Sequence, residues 1–167
     1  MKEITGNNNQ ELFKDISEII NKARNNVAQR VNSELTMMYW HIGKRINQEV
    51  LKGERAEYGK QIVSALSVQL QKTYGQGFTS SNLRRMMQFA TLFPDIQIVA
   101  PLVRQLSWTH FLEVMPVKDP LAREFYITMA ADERWSKREL QKQIDSMLYE
   151  RTAISRKARK SPKTPNF

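Results

Sequence analysis

The sequence predicts an all-α fold: a multi-helix domain with a central helix-turn-helix and a long N-terminal helical segment. Two observations carry that prediction. Apolar residues recur at steps of three and four through most of the chain, which is the spacing of one helix face. Between these stripes fall glycines, prolines and capping residues in the order that ends one helix and opens the next. No stretch reads convincingly as a strand, and no internal repeat is visible. The chain has 167 residues, 41% apolar and 26% charged. That is the composition of one ordinary globular domain, with enough chain to bury a core unaided.

Residues 1–10 carry no stripe and read as a disordered N-terminus. A single stripe then runs through Leu12, Ile16, Ile20, Ala23, Val27, Val31, Leu35, Met38, Ile42, Ile46 and Val50, predicting helix over 12–50. It exceeds an ordinary globular helix, so it either breaks near Asn32-Ser33 or projects to pair with another helix. Gly43 either admits a neighbouring backbone or weakens the helix. The polar residues 52–57 form the first connection. A second helix over 61–74 aligns Ile62, Leu66, Leu70 and Tyr74, with Val63 widening the stripe. It stops at Gly75-Gln76-Gly77, where glycine supplies positive φ, and Phe78 plugs the core beside the turn.

Thr79, Ser80 and Ser81 offer N-cap oxygens to a third helix over 80–93, with Leu83, Met86, Met87, Ala90 and Phe93 on one face. Pro94 ends it. Residues 95–106 form either a short helix after Pro101 or an extended wing. Ser107 caps a helix through Trp108, Phe111, Leu112 and Met115, which Pro116 closes. Asp119-Pro120 is an N-cap followed by proline at the first helical position, and Leu121, Phe125 and Met129 supply the stripe. Ser136-Lys137-Arg138-Glu139 matches a capping box for a last helix burying Leu140, Ile144, Met147 and Leu148. The helical body is thus expected over 11–151. Residues 152–167, basic and containing Pro162 and Pro165, read as a tail or linker.

Charge narrows the function classes. The net charge is +9, and Arg151, Arg156, Lys157, Arg159, Lys160 and Lys163 meet no acid after Glu150. Such a segment attracts polyanions without sequence preference, through counterion release. There is no cysteine and there are two histidines, so disulfides and thiolate chemistry are excluded, most transition-metal sites are disfavoured, and no cofactor is expected. No apolar run approaches the roughly 20 residues that cross a bilayer, and the N-terminus lacks a signal-peptide pattern. No membrane association is expected, and the location expected is cytoplasmic.

Two helices joined by a short glycine-bearing turn are the pattern of a helix-turn-helix. In the second of them Ser81, Arg84, Arg85 and Gln88 lie opposite the core stripe, near the helix start, and no acid occurs before Asp95. In DNA-binding units of this kind that end meets base edges in the major groove. Arginine reads guanine, glutamine reads adenine, and Ser or Thr hydroxyls bind phosphate or base. Thr79, Ser80, Ser81, Arg84, Arg85 and Gln88 are therefore the candidate DNA-binding residues. On a hairpin that binds no DNA the same face would simply be solvated. Ser107 and His110 share a helical face as a nucleophile and base would, but no acid is placed to orient the imidazole. A packed histidine holding a loop carbonyl is the expected reading. Trp108 and Trp135 read as core anchors, and Arg123-Glu124 and Glu139 as ion pairs or caps. No catalytic residue is expected.

Several ordered blocks resemble a known family. They are Tyr58-Gly59-Lys60, Leu66-Ser67, the run from Gly75 to Ser80, Asn82-Leu83-Arg84-Arg85-Met86, Phe89 and Phe93-Pro94. Leu106 to His110, Arg123 to Tyr126, Trp135 to Leu140 and Leu148 to Arg151 continue the series. Over roughly residues 20–152 the chain resembles the N-terminal domain of the YhcG family, bacterial proteins that join a helical DNA-binding-like domain to a PD-(D/E)XK nuclease domain. The resemblance implies a cytoplasmic bacterial protein engaged with DNA cleavage, repair or defence, with a nuclease domain or subunit as partner. A PD-(D/E)XK site needs carboxylates to hold Mg²⁺ and a lysine two positions after an acid. No Asp or Glu here has Lys two positions later. The chain is therefore expected not to be an enzyme itself, but either the isolated N-terminal domain or a relative without the nuclease. The alternative class is a helical interaction module that dimerises or holds a subunit through 12–50.

Overall fold

The computed structural model describes residues 4–53 and 56–160. Among the described residues the chain forms eight α-helices and a single 3₁₀ turn, with no strand. The first helix, α1 (Ile4–Leu51), is unbroken through Asn32-Ser33. It spans about 70 Å at a rise of about 1.5 Å per residue. Helix thus begins at Ile4 and includes residues 4–10, where the sequence suggested disorder. No proline interrupts that stretch, and the helix extends past its apolar stripe in spite of Gly6 and Asn7–Asn9, which have low helix propensity.

Only the inner part of α1 is built into the body. Trp40 and Thr36 are buried, and the Trp40 indole N–H donates to the Phe93 carbonyl at 2.7 Å. Helix α2 (Ala56–Tyr74) begins five residues before the stripe suggested, because Ala56 and Glu57 suit a first turn although neither continues the Ile62–Tyr74 stripe. The 3₁₀ turn Gln76–Phe78 links it to α3 (Ser80–Leu92). Leu83, Met86, Phe89 and Ala90 of α3 are buried, and α1 and α3 form the most extensive helix pair of the fold. Gly43 sits at their crossing, directly against the Met86 carbonyl. Of its two sequence readings, the close backbone approach is the one realised.

Helix α4 (Ile96–Val103) starts before Pro101 and carries it internally. The local reason is Asp95, whose carboxylate accepts from the Gln97 amide at 2.9 Å and caps the helix. Helix α5 (Trp108–Val114) follows Ser107 as expected. Asp119 caps α6 (Pro120–Asp132), accepting from the Leu121 amide at 3.0 Å. The buried face of α6 overlaps the expected one only in part: Phe125 packs against the core and Met129 is half-buried. Ala122, Tyr126, Ile127, Ala130 and Ala131 face inward, while Leu121 is exposed. Apolar residues occur all round this helix, so periodicity did not single out the face.

The last expected helix is two. Helix α7 (Lys137–Asp145) is capped at Ser146, and α8 (Leu148–Lys160) follows a break at Met147, whose φ is 56°. Met147 is exposed, not buried. Helix continues through residues 152–160, past the point where the sequence suggested a tail; residues 161–167 lie outside the described residues.

The larger of two core clusters gathers Phe89, Phe93, Phe111, Tyr126 and Leu140. The second joins Ile46 of α1, Val63 of α2, and Leu83 and Met86 of α3, with Phe78 packed against it. Trp108 borders both. No single helix among the described residues is long and apolar enough to cross a membrane.

Candidate nucleic-acid interface

The segment from α2 to α3 is held by its turn. Ser67 of α2 donates through Oγ to the Phe78 carbonyl at 2.9 Å, and Gln71 donates to Ser67 Oγ at 2.8 Å. Gly75 takes φ 100°, a conformation that favours glycine. Thr79 is the N-cap of α3, and its Oγ1 accepts from the Asn82 amide at 3.2 Å.

The six sequence-predicted residues fall into two groups. Thr79 and Ser80 are half-buried, and the Thr79 oxygen is engaged in capping. Ser81, Arg84, Arg85 and Gln88 are exposed along one side of α3. Their opposite face is locked into the core by Leu83, Met86 and Phe89, so the exposed side is rigidly presented. Neither arginine forms an ion pair among the described residues, whose salt bridges join Glu49 to Arg45 and Lys52, and Glu113 to Lys137. The first two turns of α3 therefore place two guanidinium groups at the positive end of a helix dipole, a combination suited to phosphate or base edges.

Asn82 is the residue that sequence reasoning missed. Its side-chain amide donates to the Gly77 carbonyl at 3.1 Å, and its Oδ1 accepts from Arg85 Nη1 at 3.3 Å. It ties the turn to one arginine and fixes where that guanidinium points. Its spacing of three from Arg85 was a usable signal, since such residues are neighbours on a helix.

The remaining candidates are structural. His110 Nδ1 accepts from the Ser107 backbone N–H at 3.1 Å, so Nε2 carries the proton that it donates to the Trp135 carbonyl at 2.8 Å. This is the loop-holding role expected of it. Arg123 is buried and donates through Nε and Nη2 to the Val117 carbonyl at 3.1 and 2.7 Å. It anchors the α5–α6 connection through carbonyls, where an ion pair or cap was expected. Glu139 donates its amide to Ser136 Oγ at 3.1 Å, while its carboxylate accepts from Gln143.

The family model for the DUF1016 N-terminal domain matches residues 15–151. Among curated proteins, the chain is similar to the one named "Putative nuclease YhcG" of Escherichia coli (strain K12), at 29% identity over 176 residues. The match covers 87% of this chain and 47% of that protein, so the chain spans about half the length of this relative. No solved structure matches the chain.

Proposed function

The chain belongs to the DUF1016 N-terminal domain family, and from that premise we propose that it docks DNA through the exposed side of α3 and positions a nuclease domain or subunit there. Similarity to a nuclease-named relative makes it a nuclease-family domain. The single observation that carries the DNA reading is the side of α3 bearing Ser81, Arg84, Arg85 and Gln88. It is exposed, and its arginines are free of carboxylate partners among the described residues. The helices α2 and α3 then act as a helix-turn-helix, with α3 entering the major groove by its N-terminal turns.

Arg84 and Arg85 supply base or phosphate contacts, Gln88 an adenine contact, and Ser81 a phosphate contact. Thr79 and Ser80 fix the helix start. The basic residues of α8 add attraction without sequence preference. Catalysis belongs to the nuclease partner, and the protein works in the cytoplasm of a bacterium. A second reading, the helical interaction module, is supported by the uncovered outer part of α1. Electrophoretic retardation of duplex DNA over a salt series separates the two. Binding that weakens steeply with ionic strength supports the DNA reading, and no retardation at low salt removes it.

A further inference from the structure

Leu12, Ile16, Ile20, Val27 and Val31 lie on one stripe of α1 and are each 45–62% exposed. Its steps are mostly of four residues, so the stripe drifts around the helix, and Ile42, Ile46 and Val50 farther along are packed in the cluster that α2 and α3 complete. The body grips the other side of the outer helix. Ser33 Oγ donates to the Val103 carbonyl at 2.7 Å, and the Gln29 side-chain amide donates to the Arg104 carbonyl. Gln29 and Ser33 stand two residues on from Val27 and Val31, which places them across the helix from the stripe. The apolar stripe therefore faces away from the body, with nothing over it among the described residues. A bare helix in water is marginal, and a continuous apolar stripe of this length marks a contact surface.

Charge identifies the occupant. Residues 11–18 carry Glu11, Asp15 and Glu18 against Lys14, whereas residues 22–30 carry Lys22, Arg24 and Arg30 with no acid. One half of the exposed helix is acidic and the other basic. A second copy running antiparallel lays each acidic half beside a basic half. A parallel copy would set like charges together, which disfavours that orientation.

We propose that the outer part of α1 pairs antiparallel with the same segment of a second copy of this chain. The stripe fixes the register: Leu12 meets Val31, Ile16 meets Val27, and Ile20 meets Ala23 around the two-fold axis. The small Ala23 side chain lets the helices approach at the centre. The overlap is about 30 Å long, and the two bodies stand about 65 Å apart at opposite ends. This pairing does not rest on the DNA reading, but it would give one assembly two α3 faces.

The test uses the whole chain. Analytical ultracentrifugation is expected to find twice the monomer mass. The Ile20→Lys, Val27→Lys double variant is expected to sediment at the monomer mass with unchanged tryptophan fluorescence, because Trp40, Trp108 and Trp135 lie in the body. Since the chain has no cysteine, single thiols report orientation cleanly. A mixture of Leu12→Cys and Val31→Cys proteins is expected to yield the mixed product with a short bifunctional thiol cross-linker, and Leu12→Cys alone none. A monomeric wild-type chain, a double variant of undiminished mass, or a cross-linked Leu12→Cys homodimer would each overturn the proposal.

Discussion

Gly43 lies against the carbonyl oxygen of Met86 with no room for a Cβ, so α1 and α3 meet backbone to backbone at that point. The contact fixes how far α3 stands from the long helix. It also explains why glycine occupies the middle of a helix, where it ordinarily weakens the structure.

Gly43→Ala is expected to destabilise the domain. On an exposed helix the change would gain about 1 kcal/mol of helix propensity. Here the added methyl must push two backbones apart, and overpacking of this kind costs roughly 1–3 kcal/mol, occasionally more. Urea unfolding followed by circular dichroism should give a lower midpoint. An unchanged or raised midpoint would mean that the crossing is looser than the geometry indicates.

Tyr126 supplies a pH dependence. Its hydroxyl donates to Glu150 at 2.8 Å and accepts from the Tyr149 amide at 3.1 Å. Burial, assisted by the Glu150 carboxylate, raises its pKa above the ordinary tyrosine value, although the Tyr149 amide opposes the shift. The folded state therefore favours the protonated phenol. The stability this contributes is fully present below pH about 10 and is lost as pH rises through the raised folded value. Denaturation midpoints should fall on the alkaline side for the wild type and fall less for Tyr126→Phe. Equal slopes in the two proteins would show that Tyr126 does not carry the effect.

The end of α8 is expected to serve binding more than folding. Leu148 and Tyr149 pack against the core, whereas Ile154 and residues 155–157 are exposed. A chain ending after Ala153 loses Arg156, Lys157, Arg159, Lys160 and Lys163. Its nonspecific DNA affinity and salt slope should both drop, while its melting temperature stays close to that of the full chain. A large loss of thermal stability would make the segment part of the fold.

What could be read from the sequence was local. Thr79, Asp119 and Ser136 cap their helices because a side-chain oxygen bonding an amide two or three residues on needs no tertiary partner. The orientation of α6 was legible only in part, at Phe125, because Leu121 and Ile127 are both apolar and only the packed body selects between faces. The break at Met147 left no trace because its positive φ falls on a residue that seldom adopts one. The stripe of α1 steps mostly by four and so winds slowly around the helix, meeting the body over its inner turns and facing away from it over its outer ones. Periodicity reports which side is apolar and not what covers it. At the candidate site, the exposure of Arg84 and Arg85 followed from their opposition to Leu83 and Met86. The Asn82 tie depended on where the turn places the Gly77 carbonyl, which no spacing encodes.

The central claim is that the exposed side of α3 meets DNA, and Arg84→Ala and Arg85→Ala address it most directly. The measurement is duplex affinity across a salt series, with melting temperature determined on the same proteins. A lost base contact should cost about 1–3 kcal/mol and act on preferred sequences. A lost phosphate contact should weaken all sequences alike and lower the salt slope by about one. Gln88→Ala should give a smaller, sequence-dependent loss. Stability should move by less than roughly 0.5 kcal/mol, since the side chains are exposed. Unchanged DNA affinity in both arginine variants, with or without a fall in melting temperature, would contradict the account.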